Sequence, residues 1–224
     1  MSADATDAEI DSADAEANAT EANATEANVG DAETDAAGNE GGDEFSAPPR
    51  TFTDGEGRVL RLHASGASAV ESESESASES DDERDDAPDY HEELAAMYDA
   101  FESGDRAQGI PPANPRRRGE WLGRLREGIE VVACHGERAV GHAILLEGGP
   151  GHELALFVHP DYRGAGVGTA LVRALLGEGR SAGVERVWLS VERTNRPAVS
   201  LYRGAGFEPT DSGLGELEMA RSLR

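Results

Sequence analysis

From position 129 onward the apolar residues fall in short bursts. They read "IEVVAC" (129–134), "AVGHAILLE" (139–147) and "HELALFV" (152–158), with only "HGER" and "GGPG" between them. Runs of this length bounded by turn residues predict three short-linked strands, an antiparallel meander. The period then changes. Val167, Leu171, Val172, Leu175 and Leu176 share one helical face, and the pattern ends near Ala182, with Gly183 placed to cap it. "VERVWLSVE" (184–192) predicts a strand, "NRPAVSLYRGAG" (195–206) a short helix and "LGELEMARSL" (214–223) a last strand. Strand, helix, strand implies a parallel crossover joined to the antiparallel meander, so the fold class is mixed α/β.

Upstream, "RVLRLHA" (58–64) alternates as a strand. "DYHEELAAMYDAF" (89–101) predicts a helix with Asp89 as its cap and Leu94, Met97, Tyr98 and Phe101 on one face. A second helix follows the turn-rich "GIPPANP", over 116–127, carrying Trp121, Leu122 and Leu125. Two stretches carry no such pattern. Residues 1–50 are mostly Ala, Asp, Glu, Asn and Thr, with "EANAT" repeated at 16–20 and 21–25, and 66–88 is a Ser/Asp/Glu run. Neither offers enough apolar surface to offset its ordering entropy, so both are expected to be disordered. The expected organisation is a tail over 1–50 and one domain over 51–224 with an insertion at about 66–88. A start near Asp89 is the alternative, because a long structureless loop counts against the strand before it.

The net charge of −25 sits in those same stretches. Residues 1–50 hold 14 acids and one arginine, and residues 71–93 hold 12 acids and one arginine. Of the 45 acids and 20 bases, 19 acids and 18 bases remain for everything else, which is nearly neutral. No basic patch or favourable long-range field exists for phosphate neutralisation, which argues against a nucleic-acid partner. All the bases are arginine. Acid excess without lysine resembles proteins of halophilic archaea, which stay soluble in concentrated salt; a GC-rich genome also favours arginine. One cysteine, Cys134, allows no intrachain disulfide. The six histidines show no metal-ligand spacing, so no metal is expected. No apolar run approaches the roughly 20 residues that cross a membrane, and "MSADATDAEI" lacks the features of a signal peptide. The expectation is a cytoplasmic protein with no membrane partner.

The candidate chemistry lies in "HPDYRGAGVGTAL" (159–171), where Gly164, Gly166 and Gly168 alternate between a predicted strand and a predicted helix. Such a turn can take positive φ and aim free amides and the positive helix end at an anion. A Walker loop needs a lysine, which this chain lacks. A dinucleotide GxGxxG needs glycine at 169 or 171, where Thr169 and Leu171 stand.

Together with "NRPAVSLYRGAGF" downstream, this stretch resembles the GNAT superfamily of N-acetyltransferases. Arg163-x-x-Gly166-x-Gly168 is similar to that family's pyrophosphate loop, and Asn195-x-x-Ala198-x-x-Leu201-Tyr202-x-x-x-Gly206-Phe207 to its second motif. The likeness runs from about Arg58 to the C-terminus. It implies the GNAT fold, a mixed sheet flanked by helices, with acetyl-CoA as acyl donor and an unidentified amine as acceptor. The cofactor-binding positions it implies are Phe157 and Val158 for the pantetheine arm and Asn195 beside that arm. For the diphosphate they are the amides of Arg163, Gly164, Ala165, Gly166, Val167, Gly168 and Thr169. Tyr202 matches the tyrosine that protonates the leaving thiolate, and the family reacts by direct attack, so Cys134 need not be a nucleophile. Glu153 is the first candidate for the base, with Glu192 weaker. Ser190 stands where some relatives carry a glutamate, and a water chain can replace any single base. A non-catalytic acetyl-CoA-binding sensor is the alternative function. A homodimer is common in such folds, and nothing in the sequence requires it.

Overall fold

A computed structural model describes residues 45–65, 90–105, 110–211 and 215–224. They form one eight-stranded sheet in the order β1-β2-β3-β4-β5-β6-β8-β7. The first four strands in sequence are β1 (Arg50–Thr53), β2 (Val59–Ser65), β3 (Ile129–His135) and β4 (Arg138–Gly148). β5 (Gly151–Val158), β6 (Arg186–Glu192), β7 (Glu208–Asp211) and β8 (Glu216–Ser222) complete the sheet. The helices are α1 (His91–Asp99), α2 (Pro115–Leu125), α3 (Val167–Ser181) and α4 (Arg196–Gly204). The expected antiparallel meander is β3–β4–β5, closed by turns with Gly136 at φ +63° and Gly149 at φ +57°. The parallel crossover is β5–α3–β6. The GNAT-type mixed sheet with helices on both faces is therefore what the residues form.

Alternation along the strands sends two sets of side chains to opposite faces. Leu154 and Leu156 of β5 pack with Leu171, Val172, Leu175 and Leu176 of α3 on one face. Ala155 and Phe157 of the same strand pack with Leu94, Met97, Trp121 and Leu122 of α1 and α2 on the other. Each fully buried leucine of this kind contributes about 2 kcal/mol of transfer free energy. Asn114 caps α2, its Oδ1 accepting from Arg117 N at 3.2 Å, with Pro115 in the first turn where no N–H is missed. The cap expected at Asp89 lies outside the described residues; Tyr90 precedes α1 and makes no side-chain cap bond.

Two strands escape the apolar pattern. β1 keeps only Phe52 half-buried, and β7, "EPTD", is exposed throughout, because both are sheet edges held by ladder hydrogen bonds rather than by burial. The domain also begins earlier than position 51. Phe45 is buried, Arg180 Nη2 donates to its carbonyl at 3.0 Å, and the Arg221 guanidinium lies 4.2 Å from its ring centroid. The chain at 45–47 passes so close to Gly177 that a Cβ there would stand 2.7 Å from Ala47 N. A single aromatic among small polar residues has no periodicity to announce it. The disorder expected over most of 1–50 and over 66–88 falls outside the described residues.

Candidate active site

β5 ends at Val158 and the chain makes one short 3-10 turn over Pro160–Tyr162 before the glycines. Gly164 and Gly166 have φ of +73° and +85°, the left-handed region that favours glycine. Ala165 and Val167 point inward and are buried, so the glycines and Thr169 are left on the outside of the turn. The first intrahelical bond of α3 runs from Ala170 N to Gly166 O at 3.1 Å. None of the amides from Gly164 to Thr169 makes a close, well-aligned hydrogen bond to a backbone acceptor among the described residues. No acid lies in the first turn of α3 to neutralise them. Six consecutive N–H groups at a positive helix end suit a multiply charged anion. Gly168 has a separate reason to be glycine: a Cβ there would stand 3.0 Å from Leu201 Cδ1, so it lets α4 close against the start of α3.

Arg163 does not contribute a free amide, since its N–H donates to Pro160 O at 3.3 Å. Its side chain turns back along β5. Nε donates to Val158 O at 3.2 Å, Nη1 pairs with Asp105, and the guanidinium carbon lies 5.5 Å from the Phe101 ring centroid. His159 N donates to Val140 O, so the Val158 carbonyl, antiparallel to that N–H across a trans peptide, faces away from β4. That direction is the open edge of β5. β5 and β6 pair at two positions only, His152 with Val187 and Glu153 with Trp188, and then diverge. Beyond Glu153 the sheet is split, with the unpaired ends of two parallel strands as its lips.

The two candidates for proton transfer stand on opposite faces of the sheet. Glu153, 8% exposed, shares the face of Ala155 and Phe157. Tyr202, 1% exposed, lies on the buried side of α4 in the core shared with α3, its ring 5.8 Å from that of Phe207. Burial pushes the Tyr202 phenol far up, so it stays protonated at any neutral pH. Asn195 is the cap of α4, its Oδ1 accepting from Ala198 N at 3.2 Å. Phe157 lies in an aromatic group, edge-on to Tyr98, Phe101 and Trp121 at 5.3, 6.4 and 5.6 Å. Glu192 is exposed at the end of β6 and accepts from Thr194 Oγ1, while Ser190 donates to Glu216 Oε2 at 3.2 Å. Burial, followed by the charge of Glu93, pushes the Cys134 thiol up to about 11, which leaves it inert as a nucleophile. Among the described residues no group of three or more His, Cys, Asp or Glu side chains could hold a metal ion.

Two features were missed from the sequence. The first is a buried chain in which Tyr98 OH meets His142 Nδ1 at 2.8 Å and His142 Nε2 meets Glu130 Oε1 at 3.2 Å. A histidine and a glutamate inside apolar strands were its only signals. The second is the β1–β2 turn, "TDGEG", whose Gly55 N donates to Ala165 O at 2.9 Å.

Residues 80–207, more than half of the chain, match the profile described as Acetyltransferase (GNAT) family. An uncharacterized N-acetyltransferase of Mycobacterium tuberculosis is 36% identical over 94 residues, 41% of this chain and 60% of that protein. A mycothiol acetyltransferase of Thermobifida fusca is 42% identical over 69 residues, 30% of this chain and 21% of that protein. The chain thus spans less than two thirds of the length of these relatives. Among solved structures, the GNAT domain of S. lividans PAT superposes with a TM-score of 0.58 at 15% identity, over 77% of this chain and 96% of that one. An N-acetyltransferase from Staphylococcus aureus Mu50 gives 0.52 at 17% identity, over 60% and 93%. At such identities these two establish the fold.

Proposed function

Since the chain belongs to the Acetyltransferase (GNAT) family, we propose that it transfers the acetyl group of acetyl-CoA to a primary amine by direct attack, with both substrates bound together. The observation that carries the reading is the split between β5 and β6, with Glu153 on one face, Tyr202 on the other and six free amides beside it. A proton acceptor and a proton donor on opposite faces of a sheet serve one reaction only through an opening, and the strands part where one is needed.

The residues present fit a coenzyme A thioester. Gly164 to Thr169 would hold its diphosphate, and the edge of β5 that faces away from β4 at Val158, where Arg163 Nε now bonds the carbonyl, would take its extended arm. The backbone of Phe157 faces β4 and would not bond that arm, and Asn195 caps α4 alongside. Acetyl-CoA supplies the activated acyl group when bound. On the α1–α2 face, Glu153 would take the proton of the incoming amine, directly or through water, and keep the nitrogen lone pair free. On the α3 face, the buried Tyr202 holds a proton on its phenol oxygen for the departing sulfur. The aromatic floor around Phe157 would exclude water from the opening. The acid excess supports a cytoplasmic protein of high-salt cells, with a melting temperature that rises from dilute buffer to molar KCl.

The test is to incubate the chain in molar KCl with acetyl-CoA and a panel of amines, following free CoA and acetylated products by mass spectrometry. Release of CoA matched by one acetylated amine is expected. Folded protein that binds CoA but acetylates nothing would point to a sensor. Folded protein that binds neither CoA nor its acetyl form would overturn the reading.

A further inference from the structure

The β1–β2 hairpin, which precedes the part of the chain matched to the family, holds the glycine turn just before its first glycine and between its first two. At its tip Asp54 is buried and saturated. Its Oδ1 accepts from Glu56 N at 3.0 Å and Arg58 N at 2.9 Å, and its Oδ2 from Arg58 Nε at 2.6 Å. So held, Arg58 lies over the Tyr162 ring, 4.0 Å from its centroid, and Nη1 donates to Asp161 O at 3.0 Å, just before the glycines. Gly55 N donates to Ala165 O at 2.9 Å, between Gly164 and Gly166. A Cβ on Gly55 would stand 3.5 Å from Ala165 Cα, so the two backbones are in contact. The Ala165 carbonyl and the Gly166 N–H belong to one trans peptide and point opposite ways. Anchoring the carbonyl to the hairpin therefore directs the Gly166 N–H away from the hairpin.

We infer that Asp54, Gly55 and Arg58 are positioning residues for a diphosphate, setting the direction of the amides that bind it without touching it. This rests on the reading of the turn as a coenzyme A site. Free amides in a turn with two left-handed glycines hold an anion tightly only if something else fixes their directions, because the glycines themselves do not. The hairpin supplies that constraint from a segment more than a hundred residues earlier in the chain.

Calorimetry on the full chain in molar KCl, with CoA and with pantetheine, tests it. Arg58→Gln removes the bond to Asp161 and unties Asp54, and should weaken CoA about tenfold while leaving pantetheine, which lacks the diphosphate, unchanged. Arg58→Lys keeps the charge without the fork and should fall between that variant and the parent chain. If Arg58→Gln fails to fold, Arg58→Lys carries the same comparison. Equal losses for both ligands, or unchanged CoA affinity, would overturn the inference. Failure of the parent chain to bind CoA would instead overturn the reading beneath it.

Discussion

On the α3 side of the sheet the buried residues are mostly aliphatic, with Leu171, Val172, Leu175 and Leu176 laid against Val131, Ala143, Leu145 and Leu156. On the α1–α2 side, Tyr98, Phe101, Trp121 and Phe157 instead meet edge to face around the Tyr98–His142–Glu130 chain. Aliphatic packing asks for volume and tolerates small rotations. Edge-to-face rings and buried hydrogen bonds ask for direction, and they fail when one partner is missing. The first face anchors the glycine turn through Val167 and Leu171, and the second gives the Glu153 side of the opening a floor of defined shape.

The comparison is broken most severely by His142→Leu. It leaves the Tyr98 hydroxyl and the Glu130 carboxyl buried without their partner, and should cost about 4 kcal/mol by denaturant titration. Converting Tyr98, His142 and Glu130 together to Phe, Leu and Leu should recover most of that loss. Leu175→Ala on the aliphatic face creates a cavity alone and should cost about 3 kcal/mol. If it costs more than His142→Leu, the contrast between a directional and a volumetric face is wrong. Tyr202→Phe keeps the ring and its contact with Phe207, and should lower kcat about a hundredfold with CoA affinity unchanged. Full activity in that variant would remove Tyr202 from the chemistry.

The smallest effect is one of pH. Burial, then the neighbouring Arg138 guanidinium, holds the His159 imidazole below its ordinary range. The unfolded chain takes up that proton near pH 6.5 and the folded one does so only at lower pH. Stability is thus complete above about pH 6.5 and falls as the solution is acidified below it. The melting temperature should decline from pH 7 to 5, and less steeply in His159→Asn. An identical slope would assign the decline to other groups, His63 among them, which burial depresses in the same direction.

What could be read in advance follows the range of the forces involved. The meander and α3 are written in local periods, and the start of α4 at Asn195 follows from a capping residue beside a proline. β1 and β7 pair with the next strand in sequence but are short and exposed, so they show no apolar alternation, while the seat of Phe45 depends on Arg180 and Arg221 far along the chain. The same holds within the site. That Gly164 and Gly166 lie beside free amides was legible, because glycine spacing is local. That Arg163 turns inward was not, since Asp105 lies 58 residues before it, and Arg58 reaches Asp161 across 103 residues. Gly168 was legible as a glycine but not in its purpose, which is set by Leu201.

The outermost strands, β1 and β7, are four residues each, and β7 contains Pro209 and a register shift against β8. An additional strand arriving at β7 would meet a donor-less proline within a ladder too short to hold it. Copies of this chain are thus hindered from prolonging one another's sheets at the β7 edge, which closes one route to fibrous aggregation.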